Sequence, residues 1–182
     1  MLKANFITAQ EAAEKIQDGS TLCTIGMTLV SASESILKAI EKRFETVGHP
    51  ADITLVHSCG QSDRKDGIQH FAHEGMVTRI IGSHWGLQPR WMDMIAKNQV
   101  DAYCLPQGQI AQLYHSMACG LPGKMAKVGL GTFIDPRIEG GKMNERTKRL
   151  PDIVDIIKYK DEEYMFYNQI PIDVCIIRGT EC

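Results

Sequence analysis

No stretch of this 182-residue sequence is apolar for long enough to act as a secretion signal or to cross a bilayer. Neither sign of charge dominates. The 20 basic and 22 acidic residues are interspersed, the formal net charge is -2, and no basic block is available to grip a phosphate backbone or an anionic lipid surface. Nucleic acid and membrane partners are therefore not expected. CxxC pairs are missing as well. The six cysteines, Cys23, Cys59, Cys104, Cys119, Cys175 and Cys182, fall in apolar or strand-like contexts and not in short loops, which argues against a disulfide framework. These absences lead us to expect a cytoplasmic protein with reduced thiols. What the sequence does have, 43% hydrophobic residues without a charge excess, is enough to bury one sizeable core, so a single domain is expected.

Thr8 and Glu11 have capping-box spacing and predict a short helix through about Ile16. After the turn at Asp18-Gly19, Ser20 to Ile25 reads as a strand ending at Gly26. Ser31 and Ser33 then offer caps for a helix with Ile36, Leu37, Ile40 and Phe44 on one stripe, stopped at Gly48. The unit recurs: Ile53 to His57 is a strand, Gly60 to Gly67 a polar loop, Ile68 to Val77 a helical stretch, and Thr78 to Ile81 a strand. A helix carrying Trp91, Met94 and Ile95, a strand from Asp101 to Leu105, and a helix from about Gln109 to Met117 complete the pattern. This alternation predicts an α/β fold: a parallel sheet covered on both faces, with ligands bound at the carboxyl ends of its strands. Past Gly120 the helical period is lost. Val128 to Lys142 is a glycine-rich loop, Ile153 to Tyr159 and Glu163 to Tyr167 form an antiparallel hairpin, and Val174 to Ile177 is a last buried strand. No helix follows to cover that strand, so residues 1–182 are expected to be one truncated domain of a larger architecture.

The strongest local signal is Gly129 to Lys142, where two glycine pairs bracket Thr132, an Asp135-Pro136 turn and Lys142. Such a loop lets backbone approach a ligand while the lysine supplies a cation, and it also suits a plain irregular connection. It lacks the residue order of a Walker loop or a dinucleotide fingerprint. Gln107, between a strand and Gly108 at the start of a helix, sits where a neutral amide can donate to a substrate oxygen, or where it caps the helix. His70 and His73 share a helical face beside Glu74, but the spacing is not HExxH and no third ligand is evident, so we take them as a structural pair and expect no metal. His84-Trp85-Gly86 lines a pocket or packs over the sheet. Cys59, lacking a positioned histidine, is expected to be a small buried residue and not a nucleophile.

Gly129-Leu130-Gly131-Thr132-Phe133-Ile134-Asp135-Pro136-Arg137 followed by Gly140-Gly141-Lys142-Met143-Asn144 resembles the signature of the class I CoA-transferases, in particular those acting on acetate and propionate. His70 to Gly75, Gly82 to Gly86, Pro106-Gln107-Gly108 and Ile177 to Thr180 fit the same family, and the resemblance spans essentially the whole chain. It implies the fold of the CoA-transferase and sugar-phosphate isomerase group. It further implies that this is the amino-terminal, alpha-like half of an enzyme whose catalytic glutamate lies in a second, similarly folded half, so no catalytic residue is assigned here. In the family that glutamate attacks an acyl-CoA thioester, and covalent intermediates preserve the thioester's free energy. The implied substrates are acyl-CoA, with coenzyme A exchanged and no permanently bound cofactor, and small carboxylates. The implied partners are the C-terminal half and further copies of the same enzyme. The substrate-binding candidates are Gln107, Gly108, Gly131, Thr132 and Gly26. Gly26 marks a departure, since Gly26-Met27-Thr28-Leu29-Val30 keeps one glycine of the family's cluster, and Met27 then narrows the pocket. Three alternatives stay open: a CoA hydrolase, an isomerase or ligand sensor using Asp135 and Lys142, and a non-catalytic assembly domain.

On this reading residues 1–182 alone exchange no CoA between propionyl-CoA and acetate, and hydroxylamine trapping marks no glutamate in them. Steady exchange by the purified chain, with contaminating enzyme removed, would show the reading to be wrong.

Overall fold

The computed structural model describes residues 4–179; Met1 to Lys3 and Thr180 to Cys182, and with them the sixth cysteine, lie outside the described residues. In chain order the elements are α1 (Ala9–Glu14), β1 (Thr21–Thr24), α2 (Glu34–Val47), β2 (Ile53–Val56), β3 (Val77–Gly82), α3 (Pro89–Ala96), β4 (Asp101–Cys104), α4 (Gln107–Ala118), β5 (Gly123–Ala126), α5 (Glu145–Lys148), β6 (Val154–Tyr159), β7 (Glu162–Asn168) and β8 (Val174–Ile176). A five-stranded parallel sheet runs β4-β3-β2-β1-β8, and a separate three-stranded sheet runs β5-β7-β6. Among the described residues no helix is long and apolar enough to cross a membrane.

Register explains how one sheet serves two cores. Val174, Leu22, Leu55, Ile80 and Ala102 lie side by side across the five strands, and one residue further along Cys175, Cys23, Val56, Ile81 and Tyr103 do the same. Successive side chains of a strand point to opposite faces, so the two rows belong to different layers. The first row packs against Ala13 of α1, Leu37 and Ile40 of α2, and Trp91 of α3. Val56, Ile81 and Tyr103 of the second pack against Ile110 of α4 and against Val154, Met165 and Tyr167 of the antiparallel sheet. Fully burying one such aliphatic side chain stabilises the fold by roughly 1.5–3 kcal/mol.

Local rules account for most boundaries. The Glu11 N–H donates to Thr8 Oγ1 (3.2 Å) and the Thr8 N–H to Glu11 Oε2 (2.7 Å), the expected capping box, although α1 stops at Glu14, short of Ile16. Gly48 ends α2 in the left-handed conformation, its N–H bonded to Phe44 O at 2.7 Å. At the other end of α2, Ser33 occupies the cap position without a capping bond from its side chain.

The structure corrects several expectations. The helix predicted from Ile68 to Val77 is only a 3-10 segment, Gly67–Phe71. The Ile68 N–H goes back to Gln61 O (2.8 Å), the Ile68 carbonyl accepts the Trp91 indole N–H (2.9 Å), and Gly75 at φ 84 turns the chain into β3. Tertiary bonds thus take the groups a longer helix needs. The hairpin has a third strand, β5, and the last strand is a flank: Ile176 is buried while Cys175 and Ile177 are exposed. Nor do all cysteines lie in apolar surroundings, since Cys119 and Cys175 are exposed; Cys23 is buried, and desolvation pushes its thiol up to about 12.

The glycine-rich segment is irregular, and its hydrogen bonds tie it to the rest of the fold. Its end runs along the outer edge of β4: the Cys104 N–H donates to Gly141 O (2.7 Å) and the Met143 N–H to Ala102 O (2.9 Å). Gly141 is required there, because its φ is 71 and a Cβ would stand 2.6 Å from Cys104 O. Asn144 then caps α5, accepting the Thr147 N–H (2.9 Å), while Thr147 Oγ1 accepts the N–H of Ala102 (2.7 Å). Lys142 is not offered to a ligand; it is buried, with Nζ bonded to Leu150 O (2.7 Å) and paired with Asp152 (2.8 Å). Asp135, 1% exposed, accepts from Gly131 N (2.9 Å) and from the Arg137 backbone N (3.0 Å), Nε (2.9 Å) and Nη2 (2.8 Å). The Arg137 guanidinium is the largest influence holding its carboxyl well below the usual carboxylate range.

Asp135→Ala is expected to cost about 2 kcal/mol, the moderate end for a buried acceptor because half-exposed Arg137 is screened by solvent. A depressed folded-state pKa contributes stability that is present above the unfolded value near 4 and lost as pH falls below it. Urea unfolding should therefore show a parent-to-variant gap at pH 6 that narrows below about pH 3; a gap that widens on acidification would contradict the assignment.

Candidate functional site

Three loops and the start of α4 meet beyond the carboxyl ends of β1 to β4, and hydrogen bonds tie the three loops to one another. After β1 the chain turns back on itself. Met27 and Val30 exchange both backbone hydrogen bonds (3.0 and 2.9 Å), Thr28 lies between them at φ 53, and the Thr28 N–H donates to Gly60 O (2.9 Å) in the next loop. Gly26 makes the turn possible: its φ is 154, and a Cβ would sit 2.9 Å from Val30 O. A positive φ is costly for a β-branched residue, so Thr28 is held in place by its surroundings.

After β2, His57 turns inward. It is fully buried, its Nδ1–H donates to Cys59 O (2.7 Å), and its ring meets Trp85 edge to face at 4.6 Å between centroids. Gly82 leaves the room it needs, since a Cβ there would be 2.5 Å from the imidazole. Desolvation pushes His57 down to about 4. The Gln61 amide crosses to Thr24 O (2.7 Å), tying this loop to β1. After β3, the Ser83 hydroxyl donates to Ser58 O, and the Gln88 amide nitrogen, oriented to suit its neighbours, donates to His84 O (2.9 Å) and Trp85 O (3.2 Å). After β4 the chain enters α4 directly. Pro106 caps it without a side-chain bond, so Gln107 and Gly108 form the first turn of the helix rather than its approach.

These loops border an open crevice of about 390 Å³. Met27 and Thr28 line it from the first loop, Cys59 and Gly60 from the second, Ser83, His84 and Leu87 from the third, and Gln107 from α4. No lysine, arginine or carboxylate is among them. Such an uncharged crevice, with a few polar groups at the ends of parallel strands, suits a small acyl group better than a phosphate or a dicarboxylate.

Of the residues singled out from the sequence, Gln107 lines the crevice, exposed at the helix start, and Gly26 supports the lip that carries Met27 and Thr28. Gly131 and Thr132 do not line it. They belong to the turn built on Asp135, where the Thr132 hydroxyl bonds to Gly129 O (2.8 Å). Cys59 is half-buried in the crevice wall and not a core residue. Trp85 is buried on the sheet while the adjacent His84 faces the cavity, so both readings of that segment hold. His70 is flanked by Glu34 Oε1 (2.6 Å) and Glu41, and His73 by Glu41 Oε1 (2.8 Å), and neither lines the crevice. The Lys38 ammonium already bridges Glu34 and Asp66 at 3.3 and 3.2 Å, and Arg90 lies 3.7 Å from Glu41. Ser83, Leu87 and Thr28 were missed; each follows a strand by a few residues, and that position is the signal that points to them.

Compared with known proteins, the sequence matches the family described as Coenzyme A transferase over residues 6–182. The chain belongs to the coenzyme A transferase family. Within it, the chain is 41% identical over 178 residues to the caffeate CoA-transferase of Acetobacterium woodii, covering 97% of this chain and 34% of that protein. It is 35% identical over 178 residues to the acetate CoA-transferase YdiF of Escherichia coli O157:H7, covering 97% and 33%. The crystal structure of the acyl-CoA transferase YdiF from E. coli O157:H7, in a thioester complex with CoA, superimposes with a TM-score of 0.89 at 34% identity, covering 96% of this chain and 34% of that one. The chain thus spans about one third of the length of these coenzyme A transferases.

His57 yields a direct check on the packing behind Cys59, whose carbonyl it holds. A buried histidine with a depressed pKa stays neutral in the folded state, so its titration costs nothing above pH 6.5 and lowers stability as pH falls from about 6.5 toward 4. In a nitrogen-15 NMR titration the His57 ring should remain the Nδ1–H tautomer until about pH 4. A midpoint near 6.5 would mean that the ring is hydrated.

Proposed function

We propose that this chain supplies the amino-terminal half of an enzyme that transfers coenzyme A between an acyl-CoA and a small carboxylate of the acetate or propionate type, working with a second half that carries the nucleophile. The observation that carries this reading is the uncharged crevice at the carboxyl ends of β1 to β4, with Gln107 at the start of α4. Membership of the coenzyme A transferase family and similarity to CoA-transferases acting on caffeate and acetate support the reaction class.

In this reading a glutamate of the second half attacks the thioester carbonyl and expels CoA as a thiolate, leaving an acyl-glutamyl anhydride. The thiolate attacks the glutamyl carbonyl, releasing the first acid and forming a glutamyl-CoA thioester. The acceptor carboxylate then runs the two steps in reverse and leaves with CoA. At each attack a carbonyl oxygen gains negative charge. This half faces that oxygen with the Gln107 amide, a neutral donor that stabilises developing charge without holding a carboxylate product too tightly. The exposed first turn of α4, including Gly108, adds the positive end of a helix dipole to the same place. Coenzyme A is substrate here, and the chemistry calls for no resident cofactor.

In the enzyme assembled with its second half, Gln107→Ala is expected to lower turnover on the order of a hundredfold while weakening CoA binding much less. Gln107 is exposed, so its melting temperature should stay close to that of the parent. Unchanged turnover with an intact fold would remove Gln107 from the site, and a stability loss above about 2 kcal/mol would assign it a capping role instead.

A further inference from the structure

We infer that Met27 sets the size of the acyl tail this crevice accepts, an inference that rests on the reading above and names a specificity residue within it. The lining divides into two chemistries. Thr28, Ser83, His84 and Gln107 carry polar side chains, whereas those of Met27, Cys59 and Leu87 are carbon and sulfur. A carboxyl or thioester head belongs with the first set and a hydrocarbon tail with the second. Of the three apolar side chains Met27 is the longest unbranched one, and it is 58% exposed, so its conformation is not dictated by packing against the core.

Length at position 27 matters because the backbone beneath it is fixed. Gly26 has no space for a Cβ, Met27 and Val30 hold each other through both backbone hydrogen bonds, and the Thr28 N–H is anchored on Gly60 O at 2.9 Å. Thr28 stays at φ 53, a conformation its own side chain disfavours, which signals that surrounding bonds outweigh local preference. The facing wall is equally constrained, with Cys59 O accepting from the buried His57 ring at 2.7 Å. A loop free to shift absorbs a change in side-chain length. This one passes the change on to the volume of a crevice of about 390 Å³, where each added or lost methylene of substrate is felt.

The test compares kcat/KM for acetate, butyrate and hexanoate as acceptors from propionyl-CoA, using the enzyme assembled with its second half and its Met27→Ala and Met27→Phe variants, with thermal melting of each. The hexanoate-to-acetate ratio is expected to rise about tenfold or more in Met27→Ala and to fall in Met27→Phe. Equal ratios in all three active, folded enzymes would overturn the gauge while leaving the transferase reading in place. Exchange with none of the acids by the parent enzyme would overturn both. Because Met27 is exposed, loss of folding in Met27→Ala would show that it supports the turn and would also count against the proposal.

Discussion

A parallel strand whose both faces are buried needs apolar side chains in two directions at once, and the sheet of this protein meets that demand with two adjacent rows of residues, Leu22, Leu55 and Ile80 on one face and Val56, Ile81 and Tyr103 on the other. The rest of the molecule follows from those rows. Helices α1, α2 and α3 cover the first, and α4 with the antiparallel sheet covers the second. With both faces occupied, the strand ends are where a cavity can form. The parallel direction brings three loops and the start of α4 to the same end, so the crevice is a consequence of topology before any side chain in it is chosen.

What then makes the crevice specific is the bonding between neighbouring loops. Thr28 reaches Gly60, Gln61 reaches Thr24, and Ser83 reaches Ser58, so no loop is positioned by itself. Beneath them a neutral imidazole is packed between Trp85 and the space left by Gly82. Polar groups held this way need little reorganisation when charge develops on a bound acyl group, the usual origin of electrostatic stabilisation in enzymes. The same rigidity gives Met27 its influence. Burial of His57 and strain at Thr28 are both costs to folding, and they fall on a lining residue, Thr28, and on a residue two positions from another, Cys59.

The alternating strands and helices were legible because their apolar periods are strong: the stripe of α2, the capping box at Thr8 and the run from Ile53 to Val56 all lie where the pattern put them. Gln107 was legible from its place after a strand. What escaped depended on contacts distant in sequence. The 3-10 segment at Gly67–Phe71 is short because Trp91 and Gln61 claim its backbone, and β5 (Gly123–Ala126) reads Gly-Lys-Met-Ala, without the β-branched residues that mark the run from Ile53 to Val56. Lys142 and Asp135 read as ligand groups because their partners, Leu150, Asp152 and Arg137, could be chosen only by the folded chain. Gly131 and Thr132 carry the family resemblance, yet their bonds shape a turn that does not line the crevice.

The strip from Gly141 to Thr147 that bonds along β4 also imposes an order in time. Until Gly141 emerges, the outer backbone groups of β4 face solvent, and a half-made chain carries four strands with an open, pairing-competent edge. Laying down that strip closes the edge, with Gly141 admitting the close approach and Thr147 capturing the Ala102 N–H. Substitutions at Gly141 or Thr147 therefore lower yield during synthesis, when nascent chains aggregate through exposed edges, in addition to destabilising the finished protein.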